Sequence, residues 1–82
     1  MAELKVTYDQ QANAAYIYFE DPARLERRGP IAKMYPCDPI AVDGMINLDF
    51  DTEGRVIGIE ILDARSKLPP HLLDAAERLD QG

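Results

Sequence analysis

The chain has 82 residues, 46% of them hydrophobic and 29% charged, with 9 Lys and Arg against 15 Asp and Glu. That length admits one small domain, residues 1–82, which hides only about 60% of its unfolded surface on folding, so the core is thin and an oligomer is a natural supplement. The formal net charge of −6 argues against general affinity for nucleic acid, which rests on neutralising phosphates. No apolar run approaches the ~20 residues of a membrane span, and Met1-Ala2-Glu3-Leu4-Lys5 opens without a signal-peptide core, so the cytoplasm is the expected compartment.

Leu4, Val6 and Tyr8 alternate with Glu3, Lys5 and Thr7, the period of a half-buried strand. Asp9-Gln10-Gln11-Ala12-Asn13 reads as a turn, because Asp bonds its own backbone two residues on and Asn tolerates a left-handed conformation. Ala14 to Phe19 returns as a strand rich in aromatic and β-branched side chains, which makes a first hairpin. Residues 20–30 carry Pro22, Gly29 and Pro30 and form an exposed loop. Ile31 to Tyr35 pairs as a short strand before Pro36 and Pro39 end it.

Met45 to Phe50 places Ile46, Leu48 and Phe50 on one face, and Val56 to Leu62 aligns Ile57, Ile59 and Ile61. Between them Asp51-Thr52-Glu53-Gly54 has the Asp-first, Gly-fourth signature of a type I turn, giving a second hairpin. Pro69-Pro70 suits a helix N-terminus, with Ser66 helping to cap its approach. Leu72, Leu73, Ala76 and Leu79 follow at helical spacing opposite Asp74, Glu77, Arg78 and Asp80. The expected fold is α+β: an antiparallel meander of four or five strands with one C-terminal helix packed on one face.

Charge is concentrated rather than spread. Arg24, Arg27, Arg28 and Lys33 face only Glu26 in one basic stretch, whereas Asp38, Asp43, Asp49, Asp51, Glu53, Glu60 and Asp63 face Arg55 alone in the next. Without interleaved aromatics or a Gly-rich cradle, the basic strip reads first as a solvated loop; gripping a phosphate, an acidic partner or another copy is the sharper reading. Asp49 to Glu60 matches a calcium-loop pattern at its acidic positions and at Gly54, with Glu53 where Asp or Asn is usual. A short alternating strand precedes it in place of the required helix, so a plain hairpin is expected.

Asp49, Glu60 and Asp63 form the candidate carboxylate site for a divalent cation or acid/base work, set against the solvated rim that such clusters usually make. His71 stands in the first helical turn, and no nucleophile or acid with a recognisable signature accompanies it. Cys37, beside Asp38 and without a second thiol, has the setting of an inert cysteine. No cofactor motif is present and none is expected to bind.

Both faces of the strand Ala14 to Phe19 are largely apolar, as are both faces of Val56 to Leu62. One helix covers one face, and the cheapest second cover is another copy about a two-fold axis. A homodimer burying Tyr16 and Tyr18 is expected, with the row Ile57, Ile59 and Ile61 under the helix.

At residues 8–18, from Tyr8-Asp9-Gln10-Gln11 to Tyr16-Ile17-Tyr18, and again from Ile46-Asn47-Leu48-Asp49 through Ile59-Glu60-Ile61-Leu62-Asp63-Ala64, the chain resembles a bacterial family known as domain of unknown function 2283. Leu68-Pro69 fits as well, and the resemblance covers residues 4 to about 73, least in 21–44. It implies a small α+β domain and, through members that accompany small toxin-like proteins, an antitoxin-like or regulatory role. It implies no catalytic residues; its motif positions Asp9, Asn13, Asp51 and Gly54 are those that turn geometry explains. The leading expectation is a non-enzymatic interaction protein with a heterologous protein partner, and the alternative is a small metal-binding protein or enzyme using residues 49–63.

Overall fold

The computed structural model describes residues 4–19 and 31–78. The Arg24, Arg27 and Arg28 strip and Leu79 lie outside them. The described residues form an α+β fold in which strands β1 (Lys5–Asp9), β2 (Ala14–Tyr18), β3 (Lys33–Pro36), β4 (Ile46–Phe50), β5 (Val56–Leu62) and β6 (Glu77–Arg78) join one sheet. Three short helices accompany it: α1 (Pro39–Val42), α2 (Ala64–Lys67) and α3 (Pro70–Ala75).

Both expected hairpins form. In the first, the Ala12 N–H bonds Asp9 Oδ1 at 3.1 Å and Asn13 takes a positive φ of 54°, the left-handed conformation that Asn adopts more readily than most residues. In the second, the Gly54 N–H closes onto the Asp51 carbonyl at 3.1 Å, and Gly54 itself sits at φ 80°, a turn followed by a left-handed bulge residue.

The sheet is not a meander. Its order is β3-β4-β5-β2-β1-β6, so the two hairpins meet through β2 and β5, which run antiparallel with Tyr16 opposite Glu60 and Ile17 opposite Ile59. Those two strands carry side chains that are largely apolar or aromatic, apart from Glu60 on the second face of β5, and a central position buries more of both faces than an edge does. The exposed β3 takes the edge instead. There Cys37 donates to the Ile46 carbonyl at 2.8 Å, so by strand alternation Pro36 turns its missing N–H to the open side, a device that blunts edge pairing.

The expected single helix is also corrected. The helix beginning at Pro70 ends at Ala75, because Ala76 turns extended at ψ 152°, and Glu77–Arg78 then pairs in parallel with Thr7 and Tyr8. The amphipathic spacing loses to tertiary contacts: Lys5 and Glu77 form an ion pair at 3.0 Å, and the Arg78 guanidinium lies 5.1 Å above the Tyr8 ring. Ser66 sits inside α2 rather than ahead of a helix, and its hydroxyl donates to Asp63 Oδ2 at 2.5 Å. The unanticipated α1 starts at Asp38, whose side chain accepts from the Ile40 N–H at 2.9 Å.

Strand pairing sorts the side chains onto two faces. Tyr8, Ala15, Ile17, Leu48, Ile59 and Ile61 share one, and there Tyr8 and Ala15 pack with Ala64 of α2 and Leu73 of α3 in the buried cluster. The Ile57, Ile59 and Ile61 row lies on this helix-bearing side, with Ile57 and Ile61 buried. Each such side chain contributes roughly 1.5–3 kcal/mol when fully removed from water. Lys5, Thr7, Tyr16, Tyr18, Asn47, Asp49, Gly58 and Glu60 share the other.

Candidate functional site

The second face of the sheet is where polar chemistry is gathered. Asp49 of β4 is 3% exposed and Asn47, two residues earlier, 6%, which is unusual for side chains that lose several kcal/mol of hydration unless they are bonded. Both are bonded. The Tyr16 hydroxyl donates to Asp49 Oδ2, and Asn47 Nδ2 donates to Glu60 Oε1 at 2.9 Å.

Gly58 makes the first of these bonds geometrically possible. Asp49 stands opposite Gly58, and Tyr16 stands opposite Glu60, two residues further along β5. The Tyr16 ring crosses diagonally over Gly58 to reach Asp49, so closely that a Cβ on Gly58 would lie 2.2 Å from the hydroxyl oxygen and 2.5 Å from Cε1. Tyr18 packs beside Tyr16 with ring centroids 4.5 Å apart and planes tilted by 48°. The Lys5 ammonium lies 6.0 Å from the centre of the Tyr18 ring.

The carboxylates proposed from sequence divide between two places. Asp49 and Glu60 share this face, each bound to a separate partner. Asp63 lies past the end of β5 at φ 55°, where it accepts from Asn13 Nδ2 at 2.9 Å and from Ser66. Asn13 completes a clasp between the first turn and α2: its side-chain oxygen accepts from the Arg65 N–H at 2.9 Å and its carbonyl from the Ala64 N–H at 3.0 Å. Asn13 thus satisfies two of the free amides that begin α2, from a position 50 residues away from Asp63. The hydroxyl of Ser66 foremost, with Asn13 and the nearby Lys67 and Arg65 adding to it, holds the Asp63 carboxyl below its ordinary value of 3.8 against an opposing desolvation.

Asp51 is likewise consumed by its own turn. Its Oδ1 accepts the Glu53 and Arg55 amides at 2.9 and 3.0 Å, and its Oδ2 accepts from Arg55 Nε at 2.9 Å. The Arg55 amide foremost, then its guanidinium and the Glu53 amide, hold the Asp51 carboxyl below 3.8. Arg55 also pairs with Glu53 at 2.7 Å. The acidic positions of the calcium-like pattern therefore face different partners, and among the described residues no three His, Cys, Asp or Glu are placed to hold one metal ion. His71 is exposed and Cys37 half-buried.

The alternation that puts Ile46, Leu48 and Phe50 on one face of β4 leaves Asn47 and Asp49 on the other, but sequence reasoning missed Tyr16 as the partner of Asp49 and Gly58 as the space for its ring. An Asp and an Asn alternating inside an otherwise apolar strand, across from a glycine, was the available signal. No helix among the described residues is long and apolar enough to cross a membrane.

No curated protein and no solved structure matches the chain. A family model, described as protein of unknown function (DUF2283), matches residues 5–65, a span that takes in both hairpins, the Tyr16–Asp49 face and the Asn13–Asp63 clasp. The chain belongs to the DUF2283 family.

Proposed function

We propose that the chain is a non-enzymatic interaction protein that self-associates through the sheet face bearing Tyr16 and Tyr18 and serves a heterologous protein partner. The observation that carries this reading is the asymmetry of the sheet. Ala64 and Leu73 cover the opposite face, whereas this one carries the half-buried Tyr16 and Tyr18, ring against ring, beside a buried Asn47 and Asp49, with no helix of the buried cluster over them. Tyrosine pairs over a satisfied polar layer suit an interface, since a ring offers large contact area and its hydroxyl end stays bonded. An antitoxin-like companion, the finer role that the family resemblance implies, is in keeping with a net charge of −6, which steers an acidic chain toward a basic partner. The metal or acid/base alternative draws no support from Asp49, Glu60 and Asp63, each held in a separate hydrogen bond.

Light scattering at micromolar concentration tests self-association: the expected mass is twice the 9.2 kDa of the chain. Tyr18→Asp, which leaves the Tyr16 to Asp49 bond in place, should give the single-chain mass while keeping the fold by circular dichroism. A wild-type chain at 9.2 kDa overturns the homodimer, and so does a Tyr18→Asp variant that keeps twice that mass, because burying an unpaired carboxylate costs several kcal/mol.

A further inference from the structure

We propose that the cavity between the first turn and helices α2 and α3 binds a carboxylate attached to an apolar group. This cavity is an open hollow on the helix-bearing side of the sheet, away from Tyr16 and Tyr18, with a volume of about 340 Å³, within the size range of small-molecule sites. Its floor is apolar: Tyr8 and Leu73, both buried, with Pro70 beside them. Among the described residues its lining carries Arg65 and Arg78 against one carboxylate, that of Asp74. Two guanidiniums on one small hollow stand out in a chain of net charge −6.

One of the two cations is positioned in advance, and the other stands on an anchored main chain. The Arg78 guanidinium is stacked 5.1 Å over the Tyr8 ring, and its Nη1 donates to Gln10 Oε1 at 2.7 Å. A guanidinium carries five N–H donors, so this leaves others for a ligand. The Arg65 main chain is anchored by its N–H to Asn13, and its guanidinium joins no ion pair among the described residues. A guanidinium fork matches the two oxygens of a carboxylate, and a phenyl or short alkyl group reaches the Tyr8 and Leu73 floor. Asp74 in the wall and the acidic chain around it disfavour a dianion such as phosphate, which leaves a monocarboxylate as the fitting class. A free organic acid and the C-terminus of a peptide share that chemistry.

The test is titration of the full chain with phenylacetate, with neutral phenylacetamide, and with a short peptide ending in Leu as its free acid or its amide, read by amide chemical shifts. Phenylacetate should shift the amides of Tyr8, Gln10, Leu73 and Arg78, and phenylacetamide should not. Arg65→Gln, which keeps the main-chain bond to Asn13, should weaken phenylacetate binding about tenfold or more, the effect of losing a charge-assisted contact, with an unchanged melting temperature. Arg78→Gln should weaken it comparably, and melting of that variant shows whether the Tyr8 stack mattered to the fold. A free-acid peptide that binds more tightly than phenylacetate, with its amide inert, assigns the ligand as a chain terminus; equal or weaker binding assigns a small organic acid. Equal shifts from acid and amide, absence of binding by both phenylacetate and the free-acid peptide, or full affinity in Arg65→Gln overturns the proposal.

Discussion

Replacing Gly58 by Ala is the sharpest perturbation of the polar face, because the added methyl carbon would lie 2.2 Å from the Tyr16 hydroxyl oxygen, 2.5 Å from Cε1 and 2.6 Å from Cζ. None of these separations is tolerable, and the ring must swing away. Its departure leaves Asp49, 3% exposed, without the hydroxyl that satisfies it, and separates Tyr16 from Tyr18. Overpacking costs about 1–3 kcal/mol, and losing a hydrogen bond to a charged group costs about 1.5–3 kcal/mol. In an ordinary strand position the same substitution stabilises by roughly 0.4–1 kcal/mol through the unfolded chain, so the net expectation is a loss of about 1.5–5.5 kcal/mol. For a domain of this size each kcal/mol moves the melting temperature by ~4–8 °C. The assay is a double-mutant cycle by thermal or denaturant unfolding. Tyr16→Ala should be destabilising alone, and adding Gly58→Ala to it should cost little or nothing, since the ring that collides is gone. A Gly58→Ala variant that melts with wild type, or one equally damaging with and without Tyr16, would refute the reasoning.

Three further perturbations address the turns. Asn13→Gly should cost about 1 kcal/mol, as for a lost helix cap, and Asn13→Ala roughly 1–2 kcal/mol more, because Ala must also hold the left-handed φ of 54°; equal stability of the two in urea unfolding removes the backbone part of the argument. Gly54→Val meets no atom within 4 Å of its Cβ and should still destabilise through the φ of 80°, so an unchanged melting temperature contradicts the turn assignment; millimolar calcium should leave that temperature and the amide spectrum of residues 49–60 as they were. Asp51 and Asp63 have carboxyls held below 3.8, so the unfolded chain takes up protons at higher pH than the folded one. The stability they give is present above pH ~4 and is lost as pH falls through the folded values. The paired Asp51→Asn, Asp63→Asn variant should show a shallower fall in melting temperature below pH ~4, and an identical pH profile would exclude their part in acid unfolding.

Local chemistry determined what was legible in the amino-acid sequence. Alternation marked β1, β2, β4 and β5, while Asp9, Asn13, Asp51 and Gly54 marked their turns, because a turn is specified by the backbone preferences of a few consecutive residues. Tertiary structure decided the rest. That β2 pairs with β5 rather than β3 depends on which strands gain most from a central place, and no single strand's pattern states that comparison. The helical spacing of residues 72–79 was genuine, yet Lys5 and Tyr8 recruit Glu77 and Arg78 into the sheet, and a contact with residues some 70 positions away leaves no periodic trace. Tyr16 reaching Asp49 across 33 residues, Gly58 yielding room for the ring, and Asn13 capping a helix beyond Asp63 are of the same kind: each depends on residues far apart in the chain that only the fold brings within reach.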